Sequence, residues 1–167
     1  MMEENTREAC LQLLLENSGS HAGSREYQTD LSQCDFSGEN LANLDISGIN
    51  IDEAQFSGAD LTKTRINDAS LQSADFRRAI LRFAKCEHSN FRQAKFKHAD
   101  LYRANFMDAI LEDADFSEAD LQLTNFENAD LSGADFDRAN LRGCKMTGAN
   151  LTGVYLDEEQ RKQIVFK

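Results

Sequence analysis

The side chains that carry acid-base, nucleophilic or metal chemistry are few and scattered in this sequence. No Cys-x-x-Cys pair occurs, and no two histidines share a carboxylate at a spacing that binds zinc. Catalysis also needs its groups to converge in a cleft. We therefore expect no enzyme activity, no metal and no cofactor, and we interpret the histidines as surface residues. The residues concerned are Cys10, Cys34, Cys86, Cys144, His21, His88 and His98.

The four cysteines are interpreted as reduced thiols. Their spacing lacks the dense pairing of small secreted domains that depend on disulfides. Cys86 and Cys144 would lie about three coils, roughly 14 Å, apart in the repeat described below, which is beyond disulfide reach. The N-terminus is acidic where a leader peptide is basic, and no apolar run approaches about 18 residues. These features predict a cytoplasmic protein.

Charge is distributed in three blocks along the chain. The 18 basic and 29 acidic residues give a net charge of -11, which argues against general binding to nucleic acids or anionic membranes. Residues 75–103, the basic belt, nevertheless carry a net charge of +5, between flanks of -9 and -7. Exposed aromatic residues beside arginines are typical of protein contact sites. The candidate partner-binding surface is Arg77, Arg78, Ile80, Arg82, Phe83, Lys95, Lys97, Tyr102, Arg103 and Leu123.

Two interpretations of this surface stay open at the sequence level. It is either a contact site for an acidic protein or an ordinary solvated face with scattered apolar side chains. Nucleic-acid binding through the basic belt is disfavoured because both flanks repel phosphate. The sequence does not name the partner.

A five-residue repeat must position these side chains. Ala-Asp-Leu, Ala-Asp-Phe and Ala-Asn-Leu recur from Leu31 to Leu156 without an insertion or deletion, giving 26 pentads. The central residue of every pentad is apolar, and the residue two positions earlier is Ala in 16 of them. Neither a helix nor a strand keeps a five-residue period on one face. The chain must therefore wind as a solenoid with every fifth residue in its core.

Side-chain size indicates the number of pentads in one coil. Every twentieth residue from Phe36 to Phe136 is Phe, and every twentieth residue from Leu41 to Leu141 is Leu. Three pentads per coil would mix side-chain sizes in each column and forfeit close packing. Two per coil would enclose too small a core. We expect a four-sided solenoid of about 6.5 coils, roughly 31 Å long at ~4.8 Å per coil.

The pattern Ala-(Asp/Asn)-Leu-x-x over residues 29–156 resembles the pentapeptide repeat family. The resemblance implies an all-β fold, a right-handed quadrilateral parallel β-helix, and its handedness comes from the resemblance alone. We favour a non-catalytic protein-interaction scaffold. The resemblance also implies an alternative, a DNA-mimicking modulator of DNA gyrase that confers quinolone resistance or toxin immunity. The basic belt disfavours that alternative because duplex DNA presents charge of a single sign.

Short helices are expected at both ends because an open coil exposes unpaired backbone groups. Residues 1–25 are predicted to form the N-terminal helical cap and its connection, residues 26–156 the β-helix, and residues 157–167 the C-terminal helical cap. Capping-box spacing occurs at both caps. The residues on which this rests are Asn5 and Glu8, with Leu11, Leu14 and Leu15 on one helix face, and Asp157 with Gln160.

The C-terminal segment has a second interpretation besides capping. C-terminal segments form homodimer contacts in gyrase-directed members of the family, so the resemblance implies either a monomer or a C-terminal homodimer. The candidate dimer contact is Tyr155, Ile164, Val165 and Phe166.

Two further expectations concern individual positions of the repeat. Asp or Asn precedes the central residue in most pentads, and its short side chain is predicted to bond turn backbone rather than to form an acidic recognition surface. Glu39 falls in the row of small inward residues, with Leu44 and Ile49 after it, so the first coils should be widened. Its carboxylate must turn to solvent at the open end or find a partner that the sequence does not identify.

Overall fold

Two helices flank a solenoid in the computed structural model, which describes residues 7–18 and 30–166. Helix α1 spans Arg7–Asn17, and helix α2 spans Glu158–Gln163. The predictions made for Asn5 and His21 lie outside the described residues. Neither described helix has the length and apolar character needed to cross a membrane.

Parallel bridges join the middle of each side to the same side of the next coil. They relate residues 20 positions apart, from Asp30 with Asn50 to Asp130 with Asn150. Each coil therefore contains four pentads, as the core side chains predict. Each bridge is one residue wide, and no described residue belongs to a longer strand. Two of the five residues form the turn, so only three remain for each side.

The turns use the two residues that follow each core residue. The N–H of the third residue after each core residue donates a hydrogen bond to the carbonyl of that core residue, as from Ala59 N–H to Phe56 O at 2.9 Å. The second turn residue has a positive φ even where it is Phe83 (φ 59) or Arg103 (φ 57), a conformation that costs roughly 1–2 kcal/mol for a residue with a Cβ.

The Asp and Asn side chains before the core residues stabilise these turns. Each of the 17 accepts a hydrogen bond from the backbone N–H two residues later, which is the first turn residue. This arrangement is the Asx turn predicted from the sequence. These side chains are therefore structural parts of the solenoid.

The interior is filled by stacked side chains. The rings of Phe56 and Phe76 lie 4.9 Å apart at an interplanar angle of 2°, and the stack continues to Phe136. Core residues from Leu31 to Met146 are at most 2% exposed. Where Thr64 or Thr124 replaces Ala in the inward row, its hydroxyl donates to a carbonyl 23 residues earlier, which satisfies a buried polar group.

The prediction of four reduced thiols is wrong for two of them. Cys10 of α1 and Cys34 of the first coil form a disulfide with a Cα–Cα distance of 5.9 Å. Cys86 and Cys144 are free and buried. Burial raises the pKa of the Cys86 thiol, and raises that of Cys144 to about 12. The predicted cytoplasmic location rested in part on reduced thiols. The disulfide removes that support, because such bonds persist in oxidising compartments.

Helix α1 packs on the first coil through part of the predicted face. Cys10 and Leu14, one helical turn apart, are fully buried and Leu11 is partly buried, whereas Leu15 is 47% exposed. Leu11 and Leu14 of the predicted face therefore pack on the coil, whereas Leu15 does not.

An ion pair adds a second link between α1 and the first coil. The Arg7 guanidinium lies 2.7 Å from the Glu39 carboxylate and donates to the Ser37 carbonyl. Glu39 therefore takes the second of its two predicted alternatives and has a partner. Leu44 and Ile49 pack partly buried against the core.

The C-terminal cap has the predicted capping box but is helical over only part of its length. Asp157 accepts from the Gln160 N–H, and the Gln160 side chain accepts from Asp157 N–H. After α2 the chain extends, and Val165 forms a parallel bridge with Lys145. Within the predicted cap, residues 157–167, the helix spans Glu158–Gln163 and is followed by one paired residue, which continues a side of the last coil.

Candidate functional site

The candidate surface residues of the basic belt lie on two neighbouring edges of the solenoid and on the sides next to them. One edge consists of the turns at residues 77–78 and 97–98, and we call it the basic edge. The other consists of the turns at residues 82–83 and 102–103. Ile80 lies in the middle of the side between these edges and is 39% exposed. The 20-residue coil thus brings residues that are far apart in sequence onto one surface.

The turns at residues 82–83 and 102–103 form a two-by-two grid, the aromatic–arginine cluster of Arg82, Phe83, Tyr102 and Arg103. The guanidinium of Arg82 lies 4.8 Å from the Tyr102 ring centroid. The guanidinium of Arg103 lies 5.9 Å from the Phe83 ring and 5.4 Å from the Tyr102 ring. The two rings meet edge to face at 5.7 Å. Cation–π contacts at exposed sites stabilise by about 0.5–1 kcal/mol, so these side chains hold one another in place.

The two arginines of the cluster differ in charge compensation. Arg82 lies 3.3 Å from the Asp100 carboxylate. In the described part of the chain, no carboxylate forms an ion pair with Arg103. One guanidinium is thus free to bind an external anion.

Apolar side chains lie on either side of this free guanidinium. Phe83 and Leu123 occupy the same turn position as Arg103, one coil before it and one coil after it, and are 39% and 44% exposed. The Leu123 side chain reaches over Gly143, where an added Cβ would lie 2.7 Å from Leu123 Cδ2. The position of Leu123 therefore depends on a residue without a side chain in the next coil.

The basic edge is partly neutralised by neighbouring carboxylates. Arg77 lies 2.5 Å from the buried carboxylate of Asp75, and Lys97 lies 3.3 Å from Glu118. Burial alone would raise the pKa of Asp75. The hydrogen bonds and the positive charge of Arg77, together with the charge of Lys95, outweigh burial, so the pKa of Asp75 is lowered. Arg78 and Lys95 form no ion pair within the described residues.

The two described histidines, His88 and His98, share no site. His88 and His98 are exposed, lie on different edges, and face Asp108 and Glu118 at 3.9 and 3.7 Å. Across residues 7–18 and 30–166, no group of three metal-binding side chains is assembled.

The four candidate residues for a C-terminal dimer contact differ in burial. Ile164 is only 8% exposed and packs on the chain's own core, whereas Tyr155 is 79% exposed and Val165 and Phe166 are also exposed. Only three of the four residues are therefore available for contact with a second chain.

Sequence-family models match most of the solenoid. A model described as pentapeptide repeat region matches residues 89–166, and one described as pentapeptide repeats in eight copies matches residues 40–78 and 54–85. A solved pentapeptide repeat protein from the Arabidopsis thaliana thylakoid lumen is 30% identical, covers 75% of this chain and 74% of its own, and gives a TM-score of 0.40. This chain belongs to the pentapeptide repeat family.

Other solved pentapeptide repeat proteins are similar to this family member. Rfr23 from the cyanobacterium Cyanothece 51142 is 24% identical over 80% of this chain and 91% of that chain, with a TM-score of 0.52. QnrB1, a plasmid-mediated fluoroquinolone resistance protein, is 26% identical over 77% of this chain and 80% of that chain, with a TM-score of 0.42. No curated protein matches the chain. Family membership implies the right-handed quadrilateral β-helix.

Proposed function

We propose that this pentapeptide repeat protein is a non-catalytic interaction scaffold, a rod of about 6.5 coils with helical caps that binds an acidic protein partner. The observation that carries this proposal is the aromatic–arginine cluster, in which the exposed ring of Phe83 and the partly exposed ring of Tyr102 alternate with two arginines. Aromatic residues and arginine are enriched at the centres of protein interfaces. The filled core leaves the outer surface as the place where a partner binds.

The distribution of charge supports one binding position for such a partner. The flanks at residues 1–74 and 104–167 carry -9 and -7, whereas the basic belt carries +5. An acidic partner is therefore repelled by both ends and attracted to the middle of the rod. This charge pattern supports binding of the partner at the middle of the rod.

The proposal is tested by capture of a partner from the native cell. Phe83→Ala combined with Arg103→Glu removes one ring and reverses the free charge, so capture should fall at least about tenfold. The melting temperature should stay nearly constant because both side chains are exposed. Arg142→Glu is the control, since Arg142 lies on the same edge two coils after Tyr102 and has no ring contact there. Equal capture by the double variant and the control would refute this site.

DNA gyrase is the alternative partner. The resemblance to acidic gyrase-directed members and the net charge of -11 support it, while the positive middle of the rod opposes it because DNA has charge of one sign. A supercoiling assay with purified gyrase and a fluoroquinolone separates the two proposals. Inhibition or protection by the purified protein would favour gyrase, and the absence of both would eliminate it.

We also propose that any homodimer forms through Tyr155, Val165 and Phe166, with the monomer as the alternative. These side chains lie at the C-terminal end of the rod and are exposed. Light scattering after size-exclusion chromatography should show a change from dimer to monomer when Tyr155→Ser and Phe166→Ser are combined. A wild-type monomer across the accessible concentration range would refute the dimer.

A further inference from the structure

One outward column of the solenoid alternates cationic and apolar side chains. It consists of the second turn residues of four successive coils, Lys63, Phe83, Arg103 and Leu123, all exposed. Neither Lys63 nor Arg103 has an ion-pair partner among the described residues. We call this set the alternating column.

The alternating column has a fixed spacing along the rod. Rings of successive coils stack 4.9 Å apart in the core, close to the ~4.8 Å between hydrogen-bonded strands. Three steps from Lys63 to Leu123 therefore cover about 15 Å. A complementary partner must present acidic, apolar, acidic and apolar groups with the same spacing.

An α-helix meets this spacing, whereas an extended chain does not. Helical residues at i, i+3, i+7 and i+10 lie on one face and span about 15 Å at 1.5 Å per residue. Side chains on one face of an extended chain recur every ~6.7 Å, so four of them span about 20 Å. The extended chain would fall out of register by about one coil.

The charge state of the column favours carboxylates as the acidic groups. Arg103 offers one planar guanidinium held against two rings, and a guanidinium binds a carboxylate through two parallel hydrogen bonds. The neighbouring Arg82 is already compensated by Asp100, so a dianionic phosphate would find only one free guanidinium. A side chain of charge -1 therefore fits Arg103.

We propose that the alternating column is a docking site for an amphipathic acidic helix of the partner, lying along the rod. The partner helix places carboxylates on Lys63 and Arg103 and apolar side chains on Phe83 and Leu123, in the pattern acid-x-x-apolar-x-x-x-acid-x-x-apolar. This inference rests on the proposed scaffold function and specifies what the partner presents. It also assigns Lys63, outside the basic belt, to the binding surface.

A pair of synthetic peptides tests the proposal with the full-length protein. The first is an alanine-based helical peptide with Glu at i and i+7 and Leu at i+3 and i+10. The second has the same composition, with its Glu and Leu moved to i, i+2, i+4 and i+6. Fluorescence anisotropy should show at least tenfold tighter binding of the first peptide, with an affinity that decreases as salt is added. Equal affinities, or no binding of the first peptide at millimolar protein, would overturn the proposal.

Variants of the protein identify the residues that bind. Arg103→Ala and Lys63→Ala should each weaken binding of the first peptide about five- to tenfold, and Arg103→Lys should restore little because lysine lacks the planar fork. Arg142→Ala and Arg78→Ala are matched controls that keep the alternating column intact and should bind as wild type does. Equal weakening by the controls would mean that general charge, rather than the column, attracts the peptide.

The outcomes separate this inference from the proposed function. If native capture remains sensitive to Phe83→Ala with Arg103→Glu while both peptides bind equally, the scaffold proposal stands and the helix proposal falls. If capture is insensitive to that double variant, the scaffold proposal fails at this site regardless of the peptides.

Discussion

The two ends of the solenoid are closed by helices that are attached in different ways. Helix α1 is linked covalently to the first coil through Cys10 and Cys34, 24 residues apart, and by the Arg7–Glu39 ion pair. Helix α2 begins two residues after the last core residue, Leu156, and is held by hydrogen bonds. The difference correlates with the length of chain between each cap and its docking point.

Chain entropy explains this difference. A cap that follows directly from the last coil loses little conformational freedom on docking, so hydrogen bonds suffice. A cap whose contact lies 24 residues away has a larger loop-closure cost, and a disulfide removes that cost by constraining the unfolded chain. The two caps should therefore fail under different treatments.

Removal of the disulfide should have the largest effect. Cys10→Ala combined with Cys34→Ala should lower the free energy of unfolding by about 3 kcal/mol, because the unfolded chain gains entropy. Denaturant unfolding measures the change, and hydrogen exchange should show lost protection in α1. Cys144→Ala, which removes one thiol bond to Leu121 O, is the control and should cost less. Unchanged protection of α1 in the double variant would show that packing alone holds the helix.

Replacement of one glutamine by leucine should weaken the C-terminal cap. Gln160 is buried and donates to the carbonyls of Phe136 at 2.7 Å and Ala139 at 3.2 Å. Gln160→Leu leaves both carbonyls without this partner and should cost about 2 kcal/mol. Gln93→Leu, at an exposed turn, is the matched control for denaturant unfolding. A variant as stable as this control would mean that water replaces the lost bonds.

Loss of the Arg7–Glu39 ion pair should have a smaller effect that depends on the disulfide. Both side chains are partly exposed, so Arg7→Ala should cost about 0.5 kcal/mol in the oxidised protein. In the Cys10→Ala, Cys34→Ala background the cost should vanish because α1 no longer docks. A double-mutant cycle measures this coupling. Equal costs in both backgrounds would show that the ion pair orders α1 independently.

A fall in pH should produce the smallest change in stability, and the change should be similar at the two ends of the solenoid. Hydrogen bonds from Ser37 and Ser132 lower the pKa of Asp35 and Asp130, respectively. Because the folded pKa is the lower one, each carboxylate stabilises the fold above about pH 4 and loses that contribution as pH falls further. Ser132→Ala and Ser37→Ala should each raise the neighbouring pKa towards its usual value, as measured by NMR titration, and cost roughly 0.3 kcal/mol at neutral pH. A shift at only one end would contradict this symmetry.

The regular part of the fold was predictable because each pentad repeats the same information. Phe at every twentieth position from Phe36 to Phe136 predicted the stack observed in the core. The Asp and Asn side chains predicted the turn bonds. The spacing of Asp157 and Gln160 predicted a local capping box, which depends on neighbouring residues alone.

The links at the N-terminal end were not predictable in the same way. The Cys10–Cys34 bond and the Arg7–Glu39 pair both depend on where α1 docks after a segment that does not repeat. No repeat relates the helix to the first coil. The number of residues between two positions therefore does not indicate how far apart they lie in this part of the chain. The two cysteines themselves were the available signal, but their separation of 24 residues does not show that they lie together.

The positions of the side chains on the candidate surface were predictable from the repeat, but their ion pairs were not. The 20-residue coil placed Phe83 and Arg103 in one column, as expected. A count of charges along the sequence overstated the basic edge, since Lys97 pairs with Glu118 one coil further on. The approach of Arg103 to the Tyr102 ring depends on rotamers, which the repeat does not specify.

The 20-residue period of the bridges also limits how such a rod can change length. Insertion of a single pentad after residue 103 would preserve every turn and core position locally but rotate all later residues by a quarter coil. Leu123 would then leave the edge that carries Arg103, and phenylalanine and leucine columns would be joined across the insertion. Addition of twenty residues keeps all four edges aligned, so whole coils are the unit in which a rod can lengthen while keeping a binding surface continuous.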